Sequence, residues 1–268
     1  FYRPLRCSRE AILEEHFFLQ ELQNAGIPVV APHTLRSGST LMQAEGLYFA
    51  CFPKAQGRMP QEIDLQDLQS VGRLLALLHN VGAQQSAKFR PSLTSEMGEM
   101  ALDWVQKFIP MELETPYWQA CDEILDFLDA ETATENLIRI HGDCHRGNLL
   151  QADSREGLRS FFFVDFDDFC NGPPAQDFWM LFSSSDSDNQ VEQEALLRGY
   201  RELRDFRESE KKIFPALRGL RIILYAGWIA KRWKDPLFPQ TFPQFRDHSY
   251  WQEELRALNE IRYQLDHL

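Results

Sequence analysis

The stretch that most constrains this chain is "IHGDCHRGNLL", residues 140–150. Two histidines, an aspartate, a cysteine, two glycines and an asparagine stand between apolar flanks, which suits neither a packed helix nor a simple strand. Asn148 opens a short apolar run, Leu149-Leu150. A turn-rich stretch, "ADSREG" (152–157), separates it from a second run, "FFFVD" (161–165). Two runs joined by a turn predict a β-hairpin. The start of one strand then faces the end of the other, so Asn148 and Asp165 are expected to meet at one open end, with Asp143 just upstream. An amide oxygen beside carboxylates is a hard-oxygen donor set, suited to Mg2+ kept partly hydrated for substrate phosphates.

The rest of the chain sets the frame for that site. Its 268 residues can bury a substantial core, as one large domain or two lobes. A formal charge of −12 argues against a broad nucleic-acid or anionic-membrane surface, so neither partner is expected. Five scattered cysteines (Cys7, Cys51, Cys121, Cys144, Cys170) form no CxxC pair and read as a reduced, cytoplasmic protein. The most apolar long stretch, 219–230, is interrupted by Arg221 and is too short to span a bilayer. No signal peptide is seen. The first residue is Phe1 rather than methionine, and an upstream segment is therefore expected.

Ser8 as N-cap, Gly26 as stop and Pro28 beyond predict a helix over 8–25. At about 100° per residue, Ala11, Ile12, Phe18, Leu19 and Leu22 share one arc, with Glu15 near its middle. A carboxylate in a buried arc is costly unless a cation meets it. Short extended segments follow at 40–43 and 47–52, with a turn at Glu45-Gly46. The polar stretch 53–60 is the expected boundary between a small first lobe, 1–57, and a larger second one, 58–268. Downstream, Leu65, Leu68, Val71, Leu75 and Leu78 repeat at helical steps. Further helices are expected over 94–108, 116–130, 175–182, 190–203, 215–233 and 250–268.

The spacing adds specificity. His141-Gly142-Asp143-x4-Asn148 matches the kinase catalytic loop, whose aspartate accepts the acceptor's hydroxyl proton and whose asparagine holds metal. Asp165-Phe166-Asp167 then stands where the metal-holding Asp-Phe-Gly aspartate would be. Either half alone is a weak match, whereas both halves joined by a hairpin make a strong one.

On "HGDCHRGNLL", "FVDFDDFCNGPPAQDFWML" and "WIAKRWKDPLFPQTFP", with "FYRP", "ILEEH", "YFACFP" and "VGRLLALLH", the chain resembles the aminoglycoside-phosphotransferase-like kinases almost from end to end. The resemblance implies an α+β, bilobal protein-kinase-like fold with an incomplete N-terminal lobe and a mostly helical C-terminal lobe. It implies ATP and Mg2+ as cofactors and, in a bacterial stress-response branch, Ser/Thr protein kinase activity. Carried onto this sequence, Asp143 becomes the catalytic base, and Asn148 and Asp165 become the metal ligands, Asp165 serving catalysis as well. Glu15 becomes the helix glutamate that pairs with an ATP-gripping lysine expected upstream of Phe1. Residues 49–54, Phe52 among them, become the hinge that meets adenine.

Other readings compete at several positions. A small hydroxylated metabolite is the alternative acceptor to a protein serine or threonine. "FFFVDFDDF" also resembles the haloacid-dehalogenase phosphohydrolases, but Phe169 stands where that motif wants threonine or valine, and no Rossmann-like strand series is visible. A non-catalytic kinase-fold module is a third possibility, opposed by the intact Asp143, Asn148 and Asp165. His141 is expected to hold the loop by packing and hydrogen bonding, and His79 to be a satisfied core histidine. A zinc site built on His141, Asp143, Cys144 and His145 is disfavoured, because no other histidine or cysteine cluster completes four ligands. Asp167 and Asp168 either supplement the metal site or tune its field. Asp177 is expected to cap a helix, with bracing of the catalytic loop as the second choice. Residues 183–190 read as a solvated loop.

Overall fold

A computed structural model describes residues 1–3, 6–132, 137–153, 159–182 and 186–268. The elements run α1 (Arg9–Asn24), β1 (Met42–Ala44), β2 (Leu47–Phe49), α2 (Leu65–Gly82), α3 (Ser95–Val105), α4 (Met111–Thr132) and β3 (Ile138–Ile140). They continue with β4 (Leu149–Asp153), β5 (Arg159–Phe163), β6 (Cys170–Gly172), α5 (Ala175–Trp179), α6 (Asp186–Arg201), α7 (Phe214–Lys231), α8 (Leu237–Thr241) and α9 (His248–Leu265). The chain divides into two units, 1–92 with 136–207 and 93–135 with 208–268. The boundary expected at 57/58 falls inside the first unit.

Within the first unit, the Ser8 hydroxyl accepts the Ala11 N–H at 3.1 Å and starts α1. At its end the Ile27 N–H reaches back to Leu22 O at 3.0 Å past Gly26, whose φ is 77°. The buried face of α1 is the expected arc plus His16, with Glu15 inside it. Among the described residues the sheets are antiparallel pairs, β1 with β2, β3 with β6 and β4 with β5. In the last pair Leu149 stands opposite Phe163, so the hairpin forms as expected; its turn, 154–158, lies outside the described residues. The helices α2 and α6 touch backbone to backbone, because a Cβ on Gly72 would meet Leu196 O at 2.1 Å and one on Gly199 would meet Gln69 O at 1.9 Å.

The second unit packs α3 and α4 around α7, with α9 closing over α4 and α7. Here α4 begins at Met111, not at Pro116 as expected. Glu112 and Glu114 suit the positive end of the helix dipole, and the proline inside costs only one early ladder bond. The short helix α8 was not expected, and the other expected helices differ at their ends. Thus α6 starts at Asp186, four residues before the expected start, and residues 183–185 lie outside the described ones. The pair β3–β6, not anticipated, is three residues per strand, too short for periodicity to show.

Candidate active site

The site is built at the open end of the β4–β5 hairpin, within the first unit. Asn148 ends a short helical turn just before β4, and the Val164 N–H, just after β5, bonds to Asn148 O at 3.0 Å. That bond brings Asn148 and Asp165 to the same end of the hairpin. The Asn148 side-chain amide donates to Asp143 Oδ2 at 3.3 Å and to Asp143 O at 2.9 Å. Three of the residues singled out by spacing therefore share one place.

Asp165 is not the strand end expected of it. It follows β5 by two residues with φ 64° and ψ 66°, a left-handed conformation sparsely populated by residues carrying a Cβ. Among the described residues its carboxylate accepts no hydrogen bond. Burial first, then Asp167 and Asp168, hold its pKa above the usual carboxylate range, with Asp143 adding to the effect and His141 opposing it. A half-buried acid with unused oxygens, among other acids and at the hairpin end that also carries Asn148, is a donor set that a divalent cation fits.

The loop before Asn148 is held from beneath. His141 is buried; its Nδ1 accepts the Asp143 N–H at 3.3 Å, which leaves the proton on Nε2 to be donated to Val164 O at 2.9 Å. The imidazole thus ties the Asp143 loop to the strand leading into Asp165, as a packing and hydrogen-bonding group. Gly142 has φ 82°, and a Cβ there would stand 2.3 Å from Asp168 O, so a glycine is required.

Asp177 corrects an expectation. It lies inside α5, fully buried, and is not an N-cap. Its Oδ2 accepts the His141 N–H at 2.8 Å and its Oδ1 the Gly142 N–H at 2.9 Å. His79 Nε2 lies 3.0 Å from Oδ2, and His79 Nδ1 lies 2.9 Å from the Tyr200 hydroxyl. The carboxylate braces the backbone of the loop before Asn148, the role named second for it, and His79 is the satisfied core histidine expected.

Glu15 is 4% exposed. Its cation is Arg90, with Nη1 3.8 Å from Glu15 Oε2. Burial nonetheless pushes its pKa up to about 7; Arg90 and Arg6 lower it, while Asp167 and Asp165 raise it. Asp167 and Asp168 meet Arg6 at 2.9 and 3.2 Å, so both carboxylates are engaged by an arginine that sequence reasoning did not connect to them. Beside Glu15, His16 spans Thr40 and Tyr2, each at 2.7 Å, and burial lowers its pKa to about 4, so it is neutral. Phe52 is partly exposed and meets the His16 ring edge-on at 6.0 Å. His145 Nε2 lies 3.5 Å from Asp143 Oδ2, at the partly exposed rim.

Comparison with known proteins gives the family of the chain. Residues 1–210 match the phosphotransferase enzyme family (APH), and the chain belongs to that family. It is 35% identical over 257 residues to stress response kinase A of Escherichia coli strain K12, covering 94% of this chain and 76% of that protein. It is 34% identical over 260 residues to serine/threonine protein kinase RdoA of Salmonella typhimurium strain LT2, covering 95% and 76%. Among solved structures, a microcompartment-associated aminopropanol kinase matches with a TM-score of 0.73 at 22% identity, covering 97% of this chain and 85% of that one. An amicoumacin kinase, solved with AMP-PNP, Ca2+ and amicoumacin, matches at 0.67 and 20%, covering 90% and 78%. The fold is that of the protein-kinase-like phosphotransferases, mixed α and β with a helical C-terminal region, and the chain is a phosphotransferase. The phosphohydrolase alternative falls with that assignment.

Proposed function

We propose that the chain is an ATP- and Mg2+-dependent kinase of the Ser/Thr protein kinase type, with Asp143 as general base and Asn148 and Asp165 as metal ligands. The observation that carries this reading is the convergence of those three residues at one hairpin end, through the Asn148–Asp143 and Val164–Asn148 hydrogen bonds. The acceptor oxygen forms a bond to the γ-phosphorus, the bridging P–O bond to ADP breaks, and the acceptor's proton passes to the Asp143 carboxylate. Asn148, through its side-chain oxygen, and Asp165 would hold the ion, whose chemistry when bound is to neutralise charge on the phosphate oxygens. Asp177 and His141 keep the base in place by fixing the backbone on both sides of Gly142.

Residues 1–57 are assigned to the N-terminal lobe and hinge, with Phe52 offered to adenine and Glu15 to the nucleotide's lysine clamp; 58–268 form the catalytic lobe. A cytoplasmic setting belongs to the same reading. The protein acceptor is supported by the names of the Escherichia coli and Salmonella relatives. A small amino alcohol is the second reading, favoured by the likeness to an aminopropanol kinase. Offering serine-bearing proteins and a panel of amino alcohols in parallel, with labelled ATP and Mg2+, separates the two. Phosphate transfer to neither class, in a chain that includes any upstream lysine segment, would overturn the kinase reading.

A further inference from the structure

Arg90 is a buried cation that none of the sequence motifs uses. Its loop is pinned from two sides. The Glu14 carboxylate of α1 accepts the N–H groups of Lys88 and Phe89 at 2.6 and 2.8 Å. From β6, the Asn171 side chain bonds both backbone groups of Ala87, at 2.8 and 3.0 Å, and the Asn171 N–H reaches Pro91 O at 3.0 Å. A guanidinium on such a loop has little freedom to wander.

What it reaches is the turn that follows Asp165. Nε donates to Phe169 O at 2.7 Å, and Nη2 donates to the Asp167 carbonyl. Nη1 lies 3.8 Å from Glu15 Oε2 and 3.7 Å from Cys7 Sγ, and the guanidinium sits 4.9 Å over the Phe169 ring. That ring in turn stacks on Phe18 of α1 at 5.1 Å. The planar fork matters here, because two carbonyls two residues apart are met by two N–H groups of one rigid plane. A left-handed turn at a residue with a Cβ persists only where its surroundings over-determine it. Arg6 also grips this turn, but through partly exposed side chains, where ion pairs are weak.

We infer that Arg90 is a positioning residue for the phosphoryl transfer proposed above: by holding the carbonyls of Asp167 and Phe169 it fixes where the Asp165 carboxylate stands and ties that turn to Glu15. The inference rests on that reading, and it assigns Arg90 no contact with nucleotide or metal.

The test is a calorimetric Mg2+ titration of the full chain with AMP-PNP, repeated on Arg90→Lys and Arg90→Met, beside nucleotide titrations in EDTA. Arg90→Met is expected to raise the half-saturating Mg2+ concentration about tenfold or more, the usual loss when a group that orients metal ligands is removed. Metal-free nucleotide affinity should stay unchanged. Arg90→Lys should fall between, since an ammonium serves one carbonyl well and not both, and added guanidinium should restore part of the loss in Arg90→Met. Amide exchange at 165–169 should quicken while that of β4 and β5 stays as it was. Should Arg90→Met not fold, Arg90→Lys decides by the same titration. Equal metal dependence in the folded variants, even with a lowered unfolding midpoint, would overturn the inference and leave Arg90 a core stabiliser. No Mg2+-dependent nucleotide binding by the unsubstituted chain, with any upstream lysine segment included, would overturn the kinase reading instead.

Discussion

Asn148 gives its side-chain N–H groups to Asp143, at 2.9 Å to the backbone carbonyl and 3.3 Å to the carboxylate. The amide nitrogen being engaged, the oxygen of the same group is the atom left for a cation. One side chain can therefore steady the proposed base and hold the proposed metal. The two roles separate experimentally, because the base belongs to the chemical step and the ligands to nucleotide binding.

Asp143→Asn is expected to lower turnover by about 10²–10⁴, the usual loss of a positioned general base, while leaving the fold and nucleotide affinity nearly intact. The amide oxygen can still accept from Asn148, so the loop keeps its shape. Single-turnover phosphate transfer and a nucleotide titration on the same protein check it. A rate within a few-fold of the unsubstituted chain would remove Asp143 from the chemistry.

Asp165→Ala should instead weaken Mg2+-dependent nucleotide binding together with rate, and Asn148→Ala should do so more mildly. Asp165 is the charged donor, and relieving its acidic neighbourhood is what the cation contributes. Calorimetry of Mg·ATP against each variant is the measurement. Unchanged affinity and metal dependence in Asp165→Ala would place the metal elsewhere.

Asp177→Asn probes the brace. The carboxylate serves two backbone donors, one on each oxygen, as well as His79. An asparagine offers one oxygen, so its NH2 faces an N–H and a buried donor goes unpaired, at a cost of about 1–3 kcal/mol. Urea unfolding should show that loss, and turnover should drop with it because the backbone under Asp143 is released. Wild-type stability and rate together would show that the loop is held by His141 alone.

The hairpin and its two polar ends were legible in the sequence because apolar runs, a turn and a fixed spacing are all local. The burial of Glu15 was legible for the same reason, from the arc of Ala11, Ile12, Phe18, Leu19 and Leu22. Its partner was not. The partner expected was a lysine upstream of Phe1, whereas Arg90 reaches Glu15 from a loop following α2. Arg90 also bonds Phe169, 79 positions along the chain, a pairing that no periodicity encodes. The left-handed turn at Asp165 escaped because nothing local favours it; a glycine would have announced it, and none is there. Asp177 read first as a cap because prolines precede a short helix; bracing of the loop stood second, and the fold selects it by aiming the carboxylate at the Gly142 and His141 N–H groups.

Glu15 makes the last prediction, through pH. Its folded pKa is about 7 against an ordinary 4.5, with burial as the main cause and Arg90 only partly offsetting it. A raised carboxyl binds its proton more tightly folded than unfolded, so it imposes no penalty below about pH 4.5. Between 4.5 and 7 the unfolded chain ionises first, and stability falls as pH rises through that window. Above 7 the loss is complete and constant, on the order of 3 kcal/mol. Glu15→Gln removes the titrating group, so its stability should change less over the same window and exceed that of the parent above pH 7. Denaturant unfolding of both proteins from pH 4 to 8 measures the difference directly. Parallel curves across the whole range would mean that Arg90 keeps Glu15 ionised throughout, and that the buried pair at the site is a full salt bridge.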